Sequence, residues 1–273
     1  GFVSEEEFLE CVSEARPNRG VVLTFDDGLV DHFHHVLPEL KRLSLWGIFY
    51  IPTAPLTTDR ILDVHRIHLL LGRYGGQEIA DTLNGLLRDE MLTPGLVEEF
   101  GSSTYVQQDN EASVNLVKRT LNSFIDIMYR TSVIDDLMSI YFPNEGELLQ
   151  SVYMPKASLS EMHEEGMTLG SHSVNHQVMS RLTMEDQESE IRESFHMLET
   201  IRGSSSTKTF CYPYGGFQTF SLETESLLER ASCHFSFNVE SRDISQMDLA
   251  ERRQALPRFD CNEFPYGTSQ GIG

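Results

Sequence analysis

The sequence predicts an α/β fold in which a parallel sheet with crossover helices carries a mostly helical inserted subdomain. Three observations predict it. Strand-like apolar runs at 20–25, 47–51, 167–171, 208–212, 233–238 and 255–259 alternate with helical patterns, as chains built from βαβ units do. Between the second and third runs lie about 100 residues without a strand pattern, too long for a structureless connection inside a compact domain. Finally, two polar strings, Thr24-Phe25-Asp26-Asp27-Gly28 and His172-Ser173-Val174-Asn175-His176, each follow a strand-like run, and sheet-based enzymes gather their ligands at that end of the strands.

Each element has a local reason. Val21-Val22-Leu23 reads as a buried strand, and Gly28 suits the tight turn after it. Helices are expected over 31–43, 158–165, 183–202 and 221–230, the third opened by Thr183 as a cap with early acids Glu185 and Asp186. Apolar residues in the long middle stretch recur at helical spacing: Ile67, Leu70 and Leu71; Ile79, Leu83, Leu86 and Leu87; Leu116, Leu121, Phe124, Ile125 and Met128. Breaks are expected at Asp135-Asp136 and at Tyr141-Phe142-Pro143-Asn144. The domain division that follows is 1–52 with 154–273 as the sheet domain, and 53–153 as a helical insertion. Leaving from one strand's C-terminal end, that insertion is expected near the active-site mouth, either shaping a substrate pocket or packing against a second copy as a homo-oligomer contact.

Two adjacent acids at a strand's end cannot easily serve one ion, because successive strand side chains diverge. The expectation is one metal ligand and one proton acceptor. His172 and His176, four residues apart, would fall on one face of a helical turn and share one ion. Each string alone has a plain alternative: a turn with a capping acid, or histidines satisfied on a surface or in a core. Their conjunction at strand ends favours a site that activates water at a metal.

With these motifs, the chain resembles the polysaccharide deacetylases of carbohydrate esterase family 4, the NodB-homology domain. Thr24 to Gly28 matches that family's first motif, and His172 to His176 its His-Ser/Thr-x-x-His motif. Asp31, Pro38-Glu39-Leu40 and Trp46-Gly47-Ile48-Phe49-Tyr50-Ile51 fit the stretch after the first motif, and Cys211-Tyr212-Pro213-Tyr214-Gly215 partly matches a third. The resemblance covers roughly residues 20–52 and 154–260. It implies a distorted (β/α)7-type barrel. It also implies Asp27, His172 and His176 as ligands of a divalent metal, Zn2+ as a rule, with Asp26 as general base and the backbone N–H of Tyr214 as oxyanion donor.

Two departures from the family pattern stand out. Where the third motif carries an arginine that orients the base, this chain has Cys211, and Arg258 in Ala255-Leu256-Pro257-Arg258-Phe259 is the candidate substitute, placed to pair with Asp26 and keep it ionised. The late Leu-x-His motif, source of the general acid, reads Leu256-Pro257-Arg258. Candidate acids are therefore His32, beside His34 and His35 after the first motif, and His234; of these His32 lies nearest the predicted mouth.

Composition narrows the partners. A net charge of −21, from 42 acids against 21 basic residues, argues against nucleic acid and polyanions. No apolar run of membrane-spanning length occurs. The four cysteines form no C-x-x-C pair and read as reduced thiols in a cytoplasmic protein. The reading that follows is a metal-dependent hydrolase that removes an N-acyl group, acetyl first of all, from an amino sugar, a glycan or a nucleotide sugar. Other amidohydrolases or deformylases, O-deacylases and acyl-transfer enzymes share this site chemistry, and a glycan-binding domain that retains the metal is the non-enzymatic alternative.

Overall fold

The computed structural model describes residues 1–17, 19–93, 95, 111–204 and 206–264. Two compact units emerge: Gly1–Thr58 with the chain from Gln150 onward, and Asp59–Leu149. Part of the expected insertion, 94 and 96–110, lies outside the described residues.

The first unit holds one sheet, β1 (Leu23–Phe25), β2 (Gly47–Ile51), β3 (Thr168–Ser171), β4 (Thr209–Cys211) and β5 (Phe235–Phe237), all parallel and in chain order. β2 is Gly-Ile-Phe-Tyr-Ile with every residue buried, as a strand covered on both faces must be. Its helices begin with α1 (Glu5–Ser13), opened by a capping box between Ser4 and Glu7, and α2 (Leu37–Leu43). The expected helix 31–43 is in fact composite: a π-helical turn over His32–Val36 runs into α2.

The second unit is helical. Its described α-helices are α3 (Asp63–Tyr74), α4 (Gly76–Leu86), α5 (Ala112–Arg119) and α6 (Ile127–Tyr141), followed by α7 (Glu145–Val152), which runs across the division. Ile67, Leu70, Ile79, Leu83, Leu121 and Ile125 form its core as their spacing predicts. Leu116 and Met128, expected there, are exposed, and Val117, Val133, Ile134 and Leu137 fill the places instead. The break expected at Asp135-Asp136 is helix interior. Asp135 is tolerated there because its carboxylate pairs with Arg66 (2.8 Å), a buried guanidinium that also meets Glu145 (2.7 and 2.5 Å).

Back in the first unit follow α8 (Lys156–Glu164), α9 (Met184–Arg202), α10 (Leu222–Arg230) and α11 (Gln246–Glu251). The sheet is curled. Ile48 and Tyr50 of β2 share a cluster with Phe235 and Phe237 of β5, although β3 and β4 lie between, and Phe8 and Val12 of α1 enter the same cluster. On the opposite face Phe49, Ile51 and Leu169 pack against Leu37 and Leu40 of α2, Leu159 and Met162 of α8, and Leu198 of α9. The sixth expected strand, 255–259, is reduced to one bridge between Leu256 and Phe237. Pro257, which has no N–H to donate, follows at once, so the curled sheet shows no closing strand among the described residues.

Gly170 makes the curl workable. The Tyr50 ring lies directly over its backbone and reaches Thr209 on β4, hydroxyl to hydroxyl at 2.8 Å. A Cβ on residue 170 would fall on that ring. Gly170→Ala is therefore expected to destabilise the chain by about 1–3 kcal/mol, as overpacking does, read as a lower urea midpoint. An unchanged midpoint would show that Tyr50 moves aside freely.

Candidate metal-hydrolase site

The parallel register assembles the site. Phe25 pairs with Phe49 and Ile51 with Ser171, so β1, β2 and β3 end side by side. The segments that leave them, Asp26-Asp27 and His172, emerge at one end of the sheet. His172 N–H still donates to Ile51 O at 3.0 Å. Beyond β1 the chain turns sharply, with Asp27 at φ 78° and Gly28 at φ 64°. That left-handed step sends the two adjacent carboxylates to different neighbours.

Asp27 faces the histidines. Its Oδ1 lies 3.6 Å from His172 Nε2 and 3.3 Å from His176 Nε2, and the two rings sit 4.7 Å apart, nearly perpendicular. The helical turn expected to bring the histidines together is absent. They converge through a loop in which Ser173 (φ 62°) and His176 (φ 53°) are left-handed. Side chains and backbone hold that loop: Ser173 Oγ accepts from His176 N–H (3.0 Å), Ser171 Oγ accepts from Ser173 N–H (3.2 Å), and Thr53 N–H donates to Ser173 O (3.2 Å).

Asp26 faces the other way. Arg258 grips it with both guanidinium ends, Nη1 to Oδ1 at 2.9 Å and Nη2 against Oδ2, while Nη1 also donates to Thr24 Oγ1 at 2.9 Å. The Cys211 thiol is 3.6 Å from Asp26 Oδ2. Burial works to raise the Asp26 pKa, but the charge of Arg258, the field of His172 and the guanidinium hydrogen bonds outweigh it and leave the carboxyl below its ordinary value. Cys211, by contrast, stays a thiol: burial pushes its pKa well up, with Asp26 adding to the rise.

Burial is also the main reason that the His172 pKa falls to about 4, with the neighbouring His176 adding to the fall. The ring is neutral at neutral pH. Its Nδ1 sits 2.7 Å from Cys211 O, a group that can only accept, so the proton belongs on Nδ1 and the Nε2 lone pair points at Asp27. Two acceptors thus face each other at 3.6 Å, an arrangement that suits a cation between them.

Among the described residues, two groups bring acid, histidine or cysteine ligand atoms within 4.8 Å of one another: Asp27, His172 and His176; and Asp26, His172 and Cys211. The second fits a metal poorly, since its carboxylate is held by arginine and its sulfur is protonated. The first offers one carboxylate and two imidazoles, a three-ligand set of the kind catalytic zinc sites use.

Other sequence candidates are placed as follows. Tyr214, in the loop after β4, has φ 64° and sets its ring edge-on to His176 at 5.0 Å. His32 lies beside the stacked Phe25 and Phe49 rings, 5.8 Å from each, with Nδ1 buried and meeting no hydrogen-bond partner among the described residues. Burial lowers its pKa against the pull of Asp27 and Asp26. His35 is exposed and faces Asp31 at 3.9 Å, and His34 packs on Phe33. His234 precedes β5 and reaches the Lys208 backbone ahead of β4. It therefore sits at the opposite end of the strands from His172, too far along the sheet to be the acid.

One residue escaped the sequence reading. Glu190 of α9 is buried, and its carboxylate accepts from Val174 N–H (2.8 Å), Asn175 N–H (2.9 Å) and Asn175 Nδ2 (2.5 Å). It anchors the loop that carries both histidines. The signal was present: Gln187, Glu190, Ser194 and Leu198 share the buried stripe of α9, and a charged residue in phase with such a stripe needs a partner.

The polysaccharide deacetylase family model matches residues 135–230. No curated protein sequence matches the chain. Among solved structures, the BpsB deacetylase domain from Bordetella bronchiseptica superposes with a TM-score of 0.55 at 13% identity, covering 95% of this chain and 78% of that one. The Streptococcus pyogenes deacetylase PplD, in complex with acetate, gives 0.53 at 15% identity over 95% and 73%. A de-N-acetylase from Aggregatibacter actinomycetemcomitans gives 0.51 at 12% identity over 95% and 77%. These likenesses establish the α/β fold with its curled parallel sheet. The family match bears out the resemblance to the polysaccharide deacetylases and, with it, the reading of the chain as a deacetylase enzyme.

Glu190→Ala is expected to lower zinc affinity about 10–100-fold, the usual effect of removing a group that orients ligands, with the far-ultraviolet circular dichroism unchanged. Calorimetric titration of zinc into the metal-free protein measures it. Wild-type affinity in the variant would mean the loop holds itself.

Proposed function

We propose that this chain is a metal-dependent hydrolase that removes an N-acetyl group from an amino sugar, free, in a glycan or nucleotide-linked. The observation that carries the proposal is the division of labour at one strand end: Asp27 converges with His172 and His176, while Asp26 beside it is held by Arg258. A divalent cation, Zn2+ by the donor set, lowers the pKa of water and polarises an acyl oxygen when bound. Asp27, His172 and His176 are the residues proposed to hold it.

In this reading Asp26 accepts the proton of the attacking water, a role for which a carboxylate kept ionised by Arg258 is suited. The Tyr214 backbone N–H donates to the acyl oxygen as that oxygen gains charge. The leaving amine takes a proton back from Asp26, which received it from water, or from His32 in its imidazolium form, which then returns to neutral imidazole. The fold alone is shared with the solved deacetylases, so the acetyl group is supported by the family match and by what those proteins are: deacetylases, one a de-N-acetylase and one in complex with acetate. Closure of the curled sheet into the (β/α)7-type barrel, residues 53–153 as one inserted subdomain, and a substrate-selecting role for that stretch remain parts of the same proposal.

Acetate release from N-acetylated monosaccharides, oligosaccharides and nucleotide sugars by the zinc-loaded chain tests this reading. Asp26→Asn should keep its zinc and lose about 10²–10⁴-fold in kcat. Glycan binding without acetate release in the wild type would point instead to a binding domain.

Arg258→Met is expected to move the acid limb of kcat/KM to higher pH. The sign follows from the charges: the wild-type carboxyl titrates below its ordinary value because Arg258 and His172 together outweigh burial, and without the guanidinium burial is opposed by His172 alone, so the base is lost earlier as pH falls. An unmoved limb would remove Arg258 from the mechanism.

His32→Phe separates the two uses of that ring. An aromatic filler packed beside Phe25 and Phe49 tolerates phenylalanine with kcat nearly unchanged, whereas a proton donor does not and costs about 10²-fold or more.

A further inference from the structure

At the other end of β3 from His172 lies a cleft of about 280 Å³. Thr168, the first residue of β3, lines it together with Glu5 of α1, His163 of α8, Arg202 at the end of α9, and Ser206 and Thr207 beyond. All of these belong to the first unit.

Arg202 is the unexpected member. It is only 6% exposed. Nη1 donates to Thr207 O, but Nε and Nη2 are buried and meet no acceptor among the described residues. Glu199 pairs with Lys208 at 2.8 Å, and one oxygen of Glu5 accepts from Thr168 Oγ1 at 2.6 Å. Burial lowers the Arg202 pKa and the field of Glu199 does not restore it, as expected of a desolvated cation short of counter-charge. His163 adds a second orphan, a buried Nδ1 without a partner among the described residues.

A buried guanidinium with two unmet donors is costly, and a structure that keeps one has a use for it. Nε and Nη2 form one straight edge of the guanidinium plane, the edge that takes two oxygens of one anion side by side. His163, Ser206 and Thr207 line the same space, with the Ser206 hydroxyl donating to Arg202 O at 2.8 Å. We propose that this cleft binds a small oxyanion, a phosphate or carboxylate group, held by the Nε/Nη2 edge of Arg202 with help from His163. The site is separate from the hydrolytic centre, because β3 runs between them.

The whole chain, titrated with sodium phosphate, sodium acetate and sodium chloride at constant ionic strength, tests this by thermal denaturation and calorimetry. Phosphate or acetate should raise Tm saturably by a few degrees, and chloride should not; the better anion identifies the source. Arg202→Lys keeps the charge but loses the paired edge, and should weaken binding about 10-fold or more. His163→Ala leaves Arg202 intact and should weaken it less, so the site stays testable if the Arg202 variant fails to fold. Asp27→Asn should bind the anion as the wild type does. No saturable rise with either oxyanion would overturn the proposal. Equal binding in both cleft variants, or a rise abolished by Asp27→Asn, would overturn it too.

Discussion

The site depends first on the parallel register of β1, β2 and β3. Three strands so paired end within two residues of one another and bring Asp27 beside His172, while Ser173 and Glu190 hold the loop that returns His176 to them. β2 supplies the rigidity: it is buried from Gly47 to Ile51, and its two faces belong to two different cores. A slip of one residue would exchange Phe49 and Ile51 for Ile48 and Tyr50 in those cores. It would also part Asp27 from the histidines. Gly170 belongs to the same constraint, since only a residue without a side chain leaves room for Tyr50 to cross β3.

On that frame, adjacent acids become different chemical groups. Asp26 and Asp27 share a turn, yet one is clamped by a guanidinium and the other faces two imidazoles. Different neighbours give adjacent carboxyls different environments, which is what the proposed split into ligand and base rests on. Cys211 takes part twice without a thiolate: its carbonyl fixes the His172 tautomer, and its thiol lies against Asp26.

Legibility was uneven, for physical reasons. Helices α8, α9 and α10 and all five strands fall within a few residues of their expected places, because caps and apolar runs are local signals. The run at 255–259 misled because its apolar character is real, but Pro257 ends the ladder after one bridge. The His172 to His176 spacing misled about conformation. Four residues suit a helical turn, but two left-handed residues and the Glu190 anchor produce the same convergence by a loop. Asp135-Asp136 looked like a break only because the partners of Asp135, Arg60 and Arg66, lie some seventy positions earlier in the chain.

By itself, the sequence determined the element types, the buried strands and the residue types able to bind a metal at two strand ends, since these rest on periodicity and composition. Tertiary structure alone decided which acid meets which partner. Arg258 reaches Asp26 across more than two hundred residues of chain, and Glu190 reaches Asn175 from the neighbouring helix. Whether a charged group is paired, buried or left with orphaned donors depends on what lies beside it in space, and no local pattern carries that. The same holds for Arg202, an ordinary last-turn arginine by sequence and, in the fold, a buried cation with two donors unmet among the described residues.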